Sequence, residues 1–218
     1  ADRVAIADVN ADGWPDIAVL NSTAWAPGQP EGRIVRVYLG AEGGFLESRR
    51  LEFGVKDAVD MAAARLDADA AEDLAVLAED GRMSILLSRG FEGESVPLIV
   101  KEVLVPSEEA YCIAAADADG DGSVDLVIGT DNGIFILLGH GEGTFGPATR
   151  VPDVRATHIS SEDLDADGQA DLVLAYATSA TAVGGQLLGS GELSANHLHV
   201  LWGTRAGFSA DTGVKIPI

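Results

Sequence analysis

Three stretches of this chain set oxygen-bearing side chains at alternate positions and close with an acid eight residues after the first. They are Asp8, Asn10, Asp12 and Asp16; Asp117, Asp119, Asp121 and Asp125; and Asp163, Asp165, Asp167 and Asp171. A hard divalent cation takes about six to eight oxygens at short range. On a curling loop, positions one, three and five turn their side chains inward together. A glycine after the fifth position permits a sharp turn. The seventh residue then offers its backbone carbonyl: Trp14, Ser123 or Gln169. The ninth-position acid completes the cage. All-oxygen ligation selects calcium over zinc or copper, and magnesium fits less well because it keeps several waters. About three Ca2+ sites are expected.

A fourth stretch departs from this grammar. Arg65 stands at position one and Ala70 at position six, while Asp67, Asp69 and Asp73 remain. Either the site has decayed, or the Arg65 guanidinium takes the place of the ion through forked bonds to the carboxylates. The second reading is favoured, and calcium there should be weak or absent. None of these loops is an EF-hand. That loop needs a bidentate Glu at position twelve between helices, where this chain has Val19, Ile128 and Leu174 inside apolar runs.

The elements that hold the loops are short strands. Each loop follows an Ala-rich alternating segment and precedes a compact apolar run: Ile17–Leu20, Leu74–Leu77, Leu126–Ile128 and Leu172–Leu174. A third strand ends in a shared pattern at Gly40, Ser88, Gly139 and Gly203, and a Gly-rich turn leads to Phe45, Phe91, Phe145 or Phe208. Four strands per unit of about fifty residues is the arithmetic of a propeller blade. Small side chains suit the crowded inner strand of a radial sheet. The fold expected is all-β: a β-propeller-like array of four four-stranded blades with calcium-binding hairpin loops. It forms one domain, with repeats at approximately 1–57, 58–109, 110–155 and 156–218.

Asp-x-Asn/Asp-x-Asp-Gly-x-x-Asp followed by a buried strand resembles the FG-GAP/VCBS repeat of integrin-α-type β-propellers, and the resemblance covers four units. It implies calcium-stapled blades, usually extracellular, and no particular ligand.

Composition narrows the partners. With 14 Lys+Arg against 35 Asp+Glu the net charge is −21, which repels nucleic-acid phosphates and anionic membranes. No apolar run reaches the roughly 18 residues of a membrane span. The single Cys112 excludes an intramolecular disulfide and reads as a buried, inert thiol. The chain opens at Ala1 and reads as a mature or excised segment.

Two long connections, Asn21–Gly32 and Thr178–Asn196, lie on the rim opposite the acidic loops. Long loops on a rigid scaffold tend to carry binding, so Trp25 is a candidate contact for a sugar ring or a protein partner, beside the alternative that it covers a neighbouring blade. Asn21 begins an Asn-x-Ser/Thr sequon. His197 and His199 share a strand face that reads as solvent-facing. No nucleophile elbow, phosphate loop or zinc histidine pair is present, so no enzyme is expected. The leading function is a calcium-dependent extracellular binding or adhesion scaffold for a protein or glycan, with self-association or further blades possible at its ends. The alternatives are the propeller portion of a carbohydrate-active enzyme such as a polysaccharide lyase, and a structural repeat of a surface assembly.

Overall fold

The structure, a computed structural model, describes residues 3–21, 33–45, 49–88, 98–107, 109–176, 197–204, 207–209, 211 and 213–217. Trp25, Phe91 and the two long connections fall outside them. The sequon does too beyond Asn21, and so does the side chain of His197.

Every strand is short, and every sheet is a sequential antiparallel meander. The first sheet holds β1 (Arg3–Ala7), β2 (Asp16–Asn21), β3 (Arg33–Tyr38) and β4 (Arg50–Val55). The second holds β5 (Ala58–Ala64), β6 (Asp73–Ala78), β7 (Arg82–Ser88) and β8 (Leu98–Leu104). The third holds β9 (Ala110–Ala116), β10 (Asp125–Thr130), β11 (Gly133–Leu137) and β12 (Thr149–Val151). The fourth holds β13 (His158–Glu162), β14 (Asp171–Tyr176), β15 (His197–Leu201) and β16 (Val214–Pro217). Each acidic loop is therefore the hairpin connection between the first and second strands of its sheet.

The sheets stack in series. The first strands meet as β1 on β5, β5 on β9 and β9 on β13, and no comparable contact returns from the fourth sheet to the first among the described residues. The ring is open. Three apolar layers fill the three junctions. Their logic is the period of two along a strand. In β1, Ala5 and Ala7 join the layer shared with Met61, Leu74 and Val76 of the second sheet, while Val4 and Ile6 point the other way. At matching positions Met61 and Ile113 are 7% and 5% exposed, because a preceding sheet covers them, whereas Val4 and Ile6 are 61% and 70% exposed.

The same parity corrects the reading of His199, which is buried, not solvent-facing. It shares its face of β15 with Leu201, and Leu201 packs into the layer between the third and fourth sheets. The matching residue of β3, Arg36, lies on the uncovered face of the first sheet and pairs with Glu52 at 2.8 Å.

One ion pair ties three sheets near their first strands. Arg3 Nε donates to Asp60 Oδ1 at 2.9 Å, and Asp60 Oδ2 accepts the amide of Ile113 at 3.1 Å. Burial raises the carboxyl pKa of Asp60, and the Ile113 amide and Arg3 oppose that shift. Cys112 is buried and its thiol pKa is pushed up to about 12, chiefly by burial, which leaves it an inert thiol.

Candidate functional site

The acidic loops owe their shape to their own side chains. In loop one, Asp8 accepts the amides of Asp12 at 3.1 Å and Gly13 at 2.9 Å. Asp117 does the same for Asp121 and Gly122, at 3.1 and 2.9 Å. Asp163 accepts Asp167 and Gly168, at 3.1 and 3.0 Å. The third and fifth positions each accept the amide two residues on, as Asn10 does from Asp12 and Asp121 from Ser123. Such local bonds replace the ladder where a hairpin must curl. Positions four and six take positive φ in all three loops: Ala11 and Gly13, Gly120 and Gly122, Ala166 and Gly168.

This curl gathers carboxylates. Asp117, Asp119 and Asp121 bring oxygens within 4.8 Å of one another, and so do Asp163, Asp165 and Asp171. Oxygens on opposite sides of an ion held at 2.3–2.6 Å stand at most about 5 Å apart, so both clusters fit a hard cation. Loop one has the same backbone, with the amide Asn10 in place of a carboxylate; its Nδ2 donates to Asp12 at 3.0 Å. Among the described residues the ion pairs lie elsewhere, as in Arg36 with Glu52 and Arg82 with Asp80. The loops therefore hold concentrated negative charge on a fixed scaffold. Trp14, Ser123 and Gln169 occupy the seventh positions, and Trp14 is exposed.

The ninth-position acids have a second task. Asp16 accepts Val9 N at 2.9 Å on one oxygen and Gly40 N at 2.7 Å on the other. Asp125 accepts Ala118 and Gly139 at 2.7 Å each. Asp171 accepts Leu164 and Gly203 at 2.8 Å each. Each carboxylate thus clips its own loop to the end of the third strand. Burial raises the pKa of Asp16 and Asp125; the amide bonds oppose the shift, and the neighbouring loop acids add to it.

Loop two keeps the clip and part of the curl: Asp67 and Asp69 still accept the amides of Asp69 and Ala71, at 3.1 and 3.0 Å. Asp73 accepts Leu66 N and Ser88 N at 2.9 and 2.8 Å, and burial pushes its pKa up to about 6. Neither Ala68 nor Ala70 takes a positive φ. The forked bonds expected of Arg65 do not form: the residue is exposed and makes no ion pair among the described residues. The reason is local. Both oxygens of Asp73 already hold amides, and Asp67 and Asp69 each accept the amide two residues on. Loop two instead seats against its neighbours. Asp8 N donates to Glu72 Oε2 at 2.7 Å and Glu72 N to Asp8 O at 2.9 Å. Gly143 N donates to Leu66 O at 2.7 Å, beside a bridge between Asp67 and Glu142.

Sequence reasoning missed two features. The side chain of Gln169 reaches the adjacent loop, where its Oε1 would stand 2.5 Å from a Cβ placed on Gly120. A cavity of about 480 Å3 also opens between the third and fourth sheets. Its walls come from segments some ninety residues apart, so no local spacing in the sequence announces it.

These open, four-stranded sheets with acidic hairpins define an all-β repeat protein of propeller-like build. Residues 117–174 match the family model of the FG-GAP-like repeat, so this part of the chain carries the repeat that its loops resemble. No curated protein matches the sequence. Among solved structures, an Agrocybe aegerita lectin that recognises non-reducing terminal N-acetylglucosamine is similar at a TM-score of 0.51 and 18% identity, covering 95% of this chain and 64% of the lectin. The Photorhabdus luminescens Tc holotoxin pore is similar at a TM-score of 0.45 and 17% identity, covering 100% of this chain and 9% of the pore protein. The chain thus spans less than two thirds of either. No helix among the described residues is long and apolar enough to cross a membrane.

Proposed function

We propose that this chain is a calcium-braced, non-catalytic binding module that works outside the cell and takes a glycan as ligand. The observation that carries the reading is the pair of loops in which three carboxylates converge with no cationic side chain ion-paired to them among the described residues. Oxygen-only donors at this spacing favour Ca2+. Asp117, Asp119 and Asp121 would hold one ion, and Asp163, Asp165 and Asp171 another. Loop one, with Asp8, Asn10, Asp12 and Asp16, is the third candidate. Bound there, the ion supplies charge neutralisation and crosslinks the two strands of a hairpin. Extracellular-type sites bind at about 10⁻⁴–10⁻³ M, which suits millimolar calcium and not a cytosol. The likeness in fold to a lectin is what favours a glycan over a protein partner.

The reading is tested by thermal melting with and without Ca2+, and by a glycan array probed in CaCl2 and in EGTA. A ligand that binds only the folded state raises the melting temperature. Identical melting in the two conditions rejects the calcium brace, and an array that stays blank rejects the glycan.

A further inference from the structure

We propose that the cavity between the third and fourth sheets is a pyranose-binding subsite, a proposal that rests on the glycan reading above. Its volume of about 480 Å3 lies in the range of small-ligand sites, about 300–1,000 Å3. The lining has two chemistries. Ile136 of β11 and Phe208, between β15 and β16, supply an apolar wall. Asp119 of loop three, Asp153 just after β12, and Asp211 supply polar groups, whereas the side chain of Arg150 shares the face of Phe135 toward the second sheet.

Three carboxylates among the described lining residues leave acceptors in excess, since an ionised carboxylate only accepts hydrogen bonds. An anionic ligand is disfavoured, the more so on a chain of net charge −21. The ligand must bring several O–H or N–H donors. A bare cation would satisfy the acids but would have no use for the apolar wall. A pyranose meets both demands, with hydroxyls along its edge and a C–H face that packs on an aromatic ring. Asp119 joins the cavity to the metal loop, because it belongs to the Asp117–Asp119–Asp121 cluster and also lines the cavity. An ion in loop three would therefore fix one wall of the sugar subsite.

The test uses the full chain in CaCl2 on an array of immobilised oligosaccharides ending in neutral and N-acetylated pyranoses, with a pentalysine peptide as the competing class. Asp153→Asn and Asp211→Asn alter exposed residues that line the cavity and should leave melting unchanged. Each should weaken sugar binding about tenfold, the loss of one charge-assisted hydrogen bond. Asp57→Asn, an exposed acid of positive φ remote from the cavity, should bind as the parent does. Sugar binding that survives both cavity substitutions overturns the subsite and leaves the glycan module standing. An array without a bound sugar overturns both. Binding of pentalysine in place of sugar, lost in the same two variants, overturns the ligand class.

Discussion

The amide of Gly139 donates to Asp125 Oδ1 at 2.7 Å, while the other oxygen of Asp125 holds the amide of Ala118. The same clip joins Gly40 to Asp16, Ser88 to Asp73 and Gly203 to Asp171. It recurs in the second repeat, where Arg65 has displaced the first ligand. The ninth acid is thus a fastener of the sheet before it is a ligand. That explains why Asp73 persists in a loop whose metal grammar has lapsed.

Stability and metal affinity should therefore separate by position. Asp125→Ala leaves two buried amides without an acceptor, and should cost about 2–5 kcal/mol even in metal-free protein. Asp121 is exposed, so Asp121→Ala should cost under about 1 kcal/mol without metal and still weaken calcium binding at loop three. Urea denaturation in EGTA, beside calcium calorimetry, reads both quantities. Equal destabilisation by the two substitutions would contradict the clip.

The glycine at the strand end should resist replacement. A Cβ on Gly139 would run into the carbonyl oxygen of Val124, and Gly40 and Gly203 meet Pro15 and Ala170 in the same way. Gly139→Ala should destabilise by about 1–3 kcal/mol through that backbone clash. Gly54→Ala, with open space around it, is the control, and a matching melting temperature for the two variants would refute the close approach.

Loop two should take up an ion only when its grammar is restored. The parent is expected to leave it empty in saturating calcium, with Arg65→Asp combined with Ala70→Gly adding one site. Calcium calorimetry of both proteins counts the sites. An unchanged stoichiometry in the double variant would show that the seat against Glu142 and Asp8, and not residue identity, shuts the loop.

Acid should strengthen the metal-free protein before it weakens it. The folded pKa of Asp73, about 6, stands above its ordinary 3.8, so between those values the native state binds more protons than the unfolded one. Stability contributed by this group then rises as pH falls from 7 toward 4 and is lost again as pH climbs through 6. Asp16 and Asp125 shift in the same direction. Melting of calcium-stripped protein should therefore be higher at pH 5.5 than at pH 7.5. A carbon-13 titration of the Asp73 carboxyl should show a midpoint near 6, and a midpoint near 4 would remove the explanation.

Much of this architecture was legible in the residues. Repeated acids at positions one, three, five and nine located the hairpins, and Ala5, Ala62 and Ala114 marked the strands that crowd together. The Gly40, Ser88, Gly139 and Gly203 pattern was visible, but its cause was not, since it depends on a carbonyl of the adjacent hairpin. Arg65 does not replace an ion because Asp73 spends both oxygens on the amides of Leu66 and Ser88, a backbone role that side-chain chemistry alone does not announce. His199 was misread because the polar Arg36 at its matching position sits on the one back face that no sheet covers. The cavity beside Phe208 could not be seen at all, for it belongs to a junction and not to a repeat.

The uncovered back of the first sheet sets how the molecule behaves in a crowd. Val4 and Ile6 lie nearly bare there, while a charge of −21 keeps copies apart. Salt shortens the reach of that repulsion to about 3 Å at 1 M and does nothing to wet an aliphatic patch. Concentrated brine should make these molecules clump, and the first place they touch should be this end.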